Sequence, residues 1–154
     1  MKKMKKKRAD AGFTFVETLA VLAVGAMLSA GASVSAIHVM DTAKKTSAAQ
    51  SIEQYKAALH SYYLDCGTFP SSQQGLIALW EKPVLAPVPS SWKGPYVDRQ
   101  IKDDPWGNKF VYVRNDSALF PKECPQSLPY AIVSYGADGC EGGEKSNEDI
   151  TSWK

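Results

Sequence analysis

The chain has 154 residues, of which 44% are hydrophobic and 22% charged, and carries a formal charge of +2. That charge is misleading: residues 1–12 hold six basic side chains and one acid, and without them +2 becomes −3. A basic balance confined to one terminus gives no support to a nucleic-acid partner. Setting aside residues 1–40 leaves about 110 residues, enough for one small domain with one core.

The basic residues Lys2, Lys3, Lys5, Lys6, Lys7 and Arg8 flank an apolar run on one side only. By the positive-inside rule that end stays in the cytoplasm and the C-terminal bulk is exported. From Thr18 to Ile37 there are 20 residues without a formal charge, which at about 1.5 Å per residue covers the ~30 Å hydrocarbon core of a membrane. Glu17 stands at the entrance of this run. A carboxylate at the centre of a membrane helix costs about 2.5–3.5 kcal/mol and persists only when paired. A cut after Gly12 would place a new α-amino group on Phe13, four residues before Glu17. That cation serves as the partner from the same helix or from an adjacent copy, which makes Glu17 a candidate assembly residue. The alternative is an ordinary secretory signal, with small residues around Ala30, Ala32, Ser33 and Ala36 as its cleavage site. Glu17 inside the boundary, and a run longer than such a signal needs, count against it.

Beyond the apolar run the helical period continues. Ala48, Ile52, Tyr55, Leu59 and Tyr62 recur at steps of four and three, which puts them on one helix face as packing residues. Lys44, Lys45, Glu53 and Lys56 fall largely off that stripe. One helix is therefore expected over 13–65. Gly67 and Pro70 stop it. Ser71 with Gln74 matches a capping box, so a short second helix is expected to carry Leu76, Ile77, Leu79 and Trp80 to the core. The stretch 83–95 contains four prolines and reads as an ordered loop. Asp104-Pro105-Trp106-Gly107 fits a type I turn. Strands are expected at 109–114 and 130–135, both rich in aromatic and β-branched residues. The pattern is α+β: a long helix packed on a small antiparallel sheet.

Between Asp138 and Asp149 lie five acids, one lysine and three glycines. Hard oxygen ligands on a flexible loop suit Ca²⁺, although Cys140 breaks an EF-hand pattern at its third position. On composition alone a solvated acidic loop is the favoured reading. The three cysteines are an odd count for an exported domain. Cys124 and Cys140 are placed to bridge across the strand at 130–135 in an oxidising compartment, with Cys66 free or pairing with either one. His38 and His60 are too far apart for a metal site, and no Ser/His/Asp set, phosphate loop or nucleophile motif is present.

Two sets of motifs resemble known families. Gly12, Phe13 and Glu17 resemble the type IV prepilin signal, which a dedicated membrane peptidase cleaves on the cytoplasmic side before methylating the new N-terminal Phe. The chain departs from that signal at Phe15, where Leu is usual. It also has Val34 where many members carry Pro, which suggests a straighter helix. Tyr63-Leu64-Asp65, Gln74-Gly75-Leu76, Lys82-Pro83 and Asp104-Pro105-Trp106-Gly107 resemble the major pseudopilins of the type II secretion system. So do Ser134 to Gly139, Gly142-Gly143-Glu144 and Glu148-Asp149-Ile150 through Trp153. Only 115–129, which holds Cys124, is unmatched.

The resemblance implies a type IV pilin-like fold with a C-terminal metal-binding loop. It divides the chain into a leader at 1–12, a transmembrane and filament-core helix at 13–40 and a periplasmic head at 41–154. It implies Ca²⁺ held by Asp138, Asp149, a backbone carbonyl near Tyr135, and Asn147 or Glu148. The implied role is structural, not enzymatic. The subunit would polymerise with its own copies into a helical pseudopilus, together with minor pseudopilins, an inner-membrane assembly platform and the prepilin peptidase. Its implied location is the inner membrane of a Gram-negative-type bacterium, single-pass, with the C-terminal domain in the periplasm. Rival readings are a minor type IV pilin or competence pseudopilin, and a soluble periplasmic calcium-binding domain released by ordinary signal cleavage.

Overall fold

The computed structural model describes residues 13–154, with the side chains of 29–37 outside the described set. Contacts divide the chain into Met1–Met40 and Asp41–Lys154. A single helix, α1, runs Phe15–Cys66, close to the expected 13–65.

In the first unit, Thr14 supplies the helix cap. The Glu17 amide donates to Thr14 Oγ1 at 3.2 Å, satisfying one of the four amides a helix start leaves open. Thr14 and Glu17 also have the spacing of a capping box. The Thr18 hydroxyl donates to the Phe15 carbonyl at 2.8 Å. Phe13, Phe15, Val16, Leu19 and Leu22 are all exposed. Among the described residues no helix is long and apolar enough to cross a membrane. The expected span at 18–37 extends into 29–37, whose side chains lie outside that set. The leader, including Gly12, lies outside the described residues altogether.

In the second unit the expected stripe is the core. Ile52, Tyr55, Leu59 and Tyr62 pack with Leu76, Ala78, Leu79, Tyr112 and Ile132, and Ala48 is also fully buried. The helix stops where Gly67 takes a φ of 72°, a left-handed conformation that costs little only for glycine. Its amide still donates back to the Tyr63 carbonyl at 2.8 Å. Tyr112 donates its hydroxyl to the Pro70 carbonyl at 2.8 Å, fixing the chain after the helix to the sheet.

The Ser71 capping box forms, but the expected second α-helix does not. The Ser71 amide donates to Gln74 Oε1 at 2.9 Å and the Gln74 amide to Ser71 Oγ at 3.2 Å. Gly75 then adopts a φ of 61°, and only a 3-10 turn follows at Leu76–Leu79. Leu76 and Leu79 are buried, whereas Ile77 is 39% exposed, against expectation. Gln74 is itself buried and donates Nε2 to the Leu85 and Pro87 carbonyls at 2.7 and 2.9 Å. That pair of bonds orders the proline-rich loop. The far end of the loop is held where Trp92 Nε1 donates to the Ala78 carbonyl at 3.0 Å. The Tyr96 hydroxyl donates to Asp65 at 3.1 Å.

The sheet has three antiparallel strands in order β1 (Val111–Arg114), β2 (Tyr130–Ser134) and β3 (Ile150–Thr151). The register opposes Tyr112 to Ile132 and Val113 to Ala131. Tyr112 and Ile132 face α1; Val113 and Ala131 face away, because side chains alternate along a strand. Residues 115–129 cover that outer face with Phe120, Cys124 and Leu128, joined by Trp153.

The expected bridge between Cys124 and Cys140 is not formed: all three cysteines are free thiols. Cys124 is buried among apolar side chains, and burial pushes its thiol up from the ordinary value. Cys140 is exposed, its Sγ turned to the Asp138 carbonyl at 3.5 Å.

Replacing Gln74 with Ala removes the bonds to Leu85 and Pro87 and should lower head stability by about 2 kcal/mol. Limited proteolysis should then cut first within 83–95. An unchanged cleavage pattern would show that the loop is held by other contacts.

Candidate functional site

The C-terminal acidic loop is positioned by a turn some thirty residues earlier in the chain. Asp104 is buried, and a buried carboxylate must be paired or hydrogen-bonded. Its Oδ1 accepts from the Trp106 and Asn108 amides at 3.0 and 2.8 Å. Its Oδ2 accepts from the Ser134 hydroxyl at 2.6 Å, which fixes the end of β2. The Gly107 amide donates to the Asp104 carbonyl at 3.0 Å, closing the expected turn. Asn108 Nδ2 donates to the Gly136 carbonyl at 2.8 Å, at the first bend of the acidic loop. From sequence Asp104 is legible only as a turn residue. The signal for more was a carboxylate placed where its backbone neighbours' amides converge.

From Gly136 the loop folds back on itself. The Ala137 amide donates to the Ser146 carbonyl at 2.9 Å. Gly136 and Gly143 have φ of 61° and 96°. A Cβ on them would lie 2.9 Å from the Asn147 carbonyl carbon and 2.6 Å from its carbonyl oxygen. Both positions therefore demand glycine for conformation and for space.

The expected ligands are only partly gathered. Tyr135 and Asp149 line one cavity of about 220 Å³, together with Val133, Glu141 and Thr151. The Tyr135 phenol is held above its usual value by burial and by the charges of Glu141 and Asp149. Asp149 Oδ2 accepts from the Gly142 amide at 2.9 Å, and its Oδ1 is buried without a hydrogen-bond partner among the described residues. Asp138 is exposed, accepts from the Cys140 amide at 3.2 Å, and, like Asn147, is not in the cavity wall. Glu148 and Glu123 also line the cavity, and the Glu148 carboxylate pairs with Lys45 at 2.9 Å. The Lys45 hydrogen bond and charge hold its carboxyl below the usual range. Among the described residues no three His, Cys, Asp or Glu side chains are grouped as a metal set. A cation seated at Asp149 would draw its further ligands from the loop and from carbonyl and hydroxyl oxygens around the cavity. Ca²⁺ accepts such ligands, and the orphaned Asp149 oxygen fits it.

At the other end, Phe13 is 78% exposed and stands just before the Thr14 cap. Glu17 lies in the first turn of α1, where the positive end of the helix dipole favours an acid.

The sequence model for type II secretion system protein G matches residues 35–153. The chain belongs to that family. The prokaryotic N-terminal methylation motif matches residues 7–33. The type II secretion system core protein G of Pseudomonas aeruginosa is 35% identical over 147 residues, covering 96% of this chain and 97% of that protein. Its counterpart in Vibrio cholerae is 33% identical over 152 residues, 97% and 96% of the two chains. The crystal structure of the major pseudopilin from the type 2 secretion system of enterohaemorrhagic Escherichia coli superposes with a TM-score of 0.60 at 27% identity. It covers 76% of this chain and 92% of that one. The resemblance seen in the motifs is thus a family membership, and the role is that of a major pseudopilin in type II secretion. The fold is the pilin-like α+β arrangement expected for the G family.

In this G-family head the Asp104 bracket carries a quantitative expectation. Asp104→Ala should lower the unfolding free energy by about 3 kcal/mol, since it strands the Trp106 and Asn108 amides and the Ser134 hydroxyl, whereas Asp104→Asn should cost about 1 kcal/mol. Denaturant unfolding of the two variants measures this; equal and small losses would remove Asp104 as the bracket.

Proposed function

We propose that the chain is cut between Gly12 and Phe13 by a prepilin peptidase and methylated on Phe13. It then assembles with its own copies into the periplasmic pseudopilus that drives folded proteins across the outer membrane. Before assembly the subunit waits in the inner membrane, single-pass, with its C-terminal domain in the periplasm. Minor pseudopilins and an inner-membrane assembly platform are its partners. It is a structural subunit rather than an enzyme.

The observation that carries this reading is the presence of both signatures on one chain, the methylation motif over 7–33 and the G-family match over 35–153. Two physical features support it. The exposed apolar side chains of Phe15, Val16, Leu19 and Leu22 require lipid or neighbouring helices to cover them. Glu17 requires a cation when it enters that apolar setting, and the Phe13 amine of an adjacent subunit supplies one. A contact of this head-to-tail kind does not close and generates a helical filament.

We further propose that the C-terminal loop holds a structural Ca²⁺ through Asp149 and the Tyr135 carbonyl at the cavity, with Asp138 and Asn147, which lie outside its wall, closing on the ion when it binds. When bound, the ion neutralises a loop whose carboxylates otherwise repel one another. Loop closure at Gly136 and Gly143 brings the segment around Asn147 back beneath the bend. Glu148 is the alternative to Asn147 in completing the set: Glu148 lines the cavity but is paired with Lys45, and Asn147 lies on the loop outside the wall.

Glu17→Ala should leave the protein inserted in the membrane but abolish or sharply reduce filaments seen by electron microscopy. Normal filaments from that variant would refute the pairing. Chelation should lower the head's melting temperature by several degrees, since saturation at about 100 times Kd is worth about 2.7 kcal/mol. An identical melting temperature with and without Ca²⁺ would remove the metal.

A further inference from the structure

The outer face of the sheet carries a second orphaned oxygen beside the Asp149 carboxylate. The register opposes Val133 to Thr151, and side chains alternate along a strand. Asp149, two residues before Thr151, and Tyr135, two residues after Val133, therefore fall on the same face. All four line the cavity of about 220 Å³. Thr151 Oγ1 is buried and, among the described residues, has no hydrogen-bond partner; the same holds for Asp149 Oδ1. Leaving such groups unpaired costs about 1–3 kcal/mol each, and a ligand in the shared cavity could satisfy both.

The charge of the surroundings favours a cation over a neutral group. Glu123, Glu141, Glu148 and Asp149 all line the cavity, and the nearby Lys45 ammonium is spent on Glu148. Lys154 also reaches the cavity wall, but it is exposed and makes no ion pair with Asp149.

We propose that the Thr151 hydroxyl is a cation ligand, acting with Asp149 Oδ1 from the sheet side, so that the bound ion is seated on β3 and not held by the loop alone. This rests on the Ca²⁺ reading above and adds a ligand from outside the acidic run. It also gives β3 a purpose. A strand of two residues contributes little pairing by itself, but it delivers Thr151 to the cavity. It is locked there by reciprocal bonds between Ile132 and Ser152 at 2.9 and 3.0 Å.

The test uses the full chain in detergent, titrated with Ca²⁺ by calorimetry, as wild type, Thr151→Val and Thr151→Ser. Thr151→Val removes the oxygen and keeps the shape; it should weaken Ca²⁺ about tenfold, while Thr151→Ser should stay within about twofold. Without Ca²⁺, the melting temperature of Thr151→Val should equal or exceed that of wild type, because the orphaned hydroxyl is gone. Wild-type affinity in Thr151→Val, or an equal loss of melting temperature with and without Ca²⁺, overturns the assignment. No Ca²⁺ binding by the wild type overturns the reading beneath it, and is distinguishable because all three proteins then behave alike.

Discussion

The buried Asp104 carboxylate is the constraint on which the functional end of the head depends. Its two oxygens take two turn amides and the Ser134 hydroxyl, so the turn, the end of β2 and the start of the acidic loop cannot move independently. Asn108 extends the bracket to the Gly136 carbonyl. A buried charge satisfied this way is rigid, because every displacement would leave a charged group short of a partner. The loop that follows is acidic and exposed, and would spread by self-repulsion if its start were not fixed.

The helix that carries the head was legible because its signal is periodic. Ile52, Tyr55, Leu59 and Tyr62 announce a face, and that face is the core. The strand positions were legible for a similar reason, apart from β3, whose two residues have no alternation to read. The second helix does not follow from its capping signal, because the Ser71 and Gln74 pair is local, while the positive φ at Gly75 ends the turn it starts. Thr14 is legible as a cap, since its spacing to Glu17 is that of a capping box.

For the candidate site, composition identified the loop and could not identify its geometry. Tyr135 and Asp149 share a cavity wall, while Asp138 and Asn147 do not. Nothing local signalled that Glu148 is paired with Lys45, 103 residues away in sequence, or that Thr151 is orphaned beside Asp149. The same is true of 115–129: its apolar residues are few and scattered, and their shared burial over the outer face of the sheet is a tertiary fact. The bridge expected from Cys124 failed on that account, since its thiol is used in packing. A subunit whose N-terminal segment is devoted to assembly thus has a head in which protein contacts fix one end of the acidic loop, and a cation is assigned to complete the other.

Amide hydrogen exchange of the full-length chain in detergent, with and without Ca²⁺, tests that division of labour most directly. The account predicts that the amides of Ala137, Gly142, Asn147 and Glu148 gain protection when Ca²⁺ is added. Those of Asn108 and Ile132 should stay slow in both conditions. Loop amides indifferent to Ca²⁺, or Asn108 losing its protection together with the loop when Ca²⁺ is removed, would contradict it.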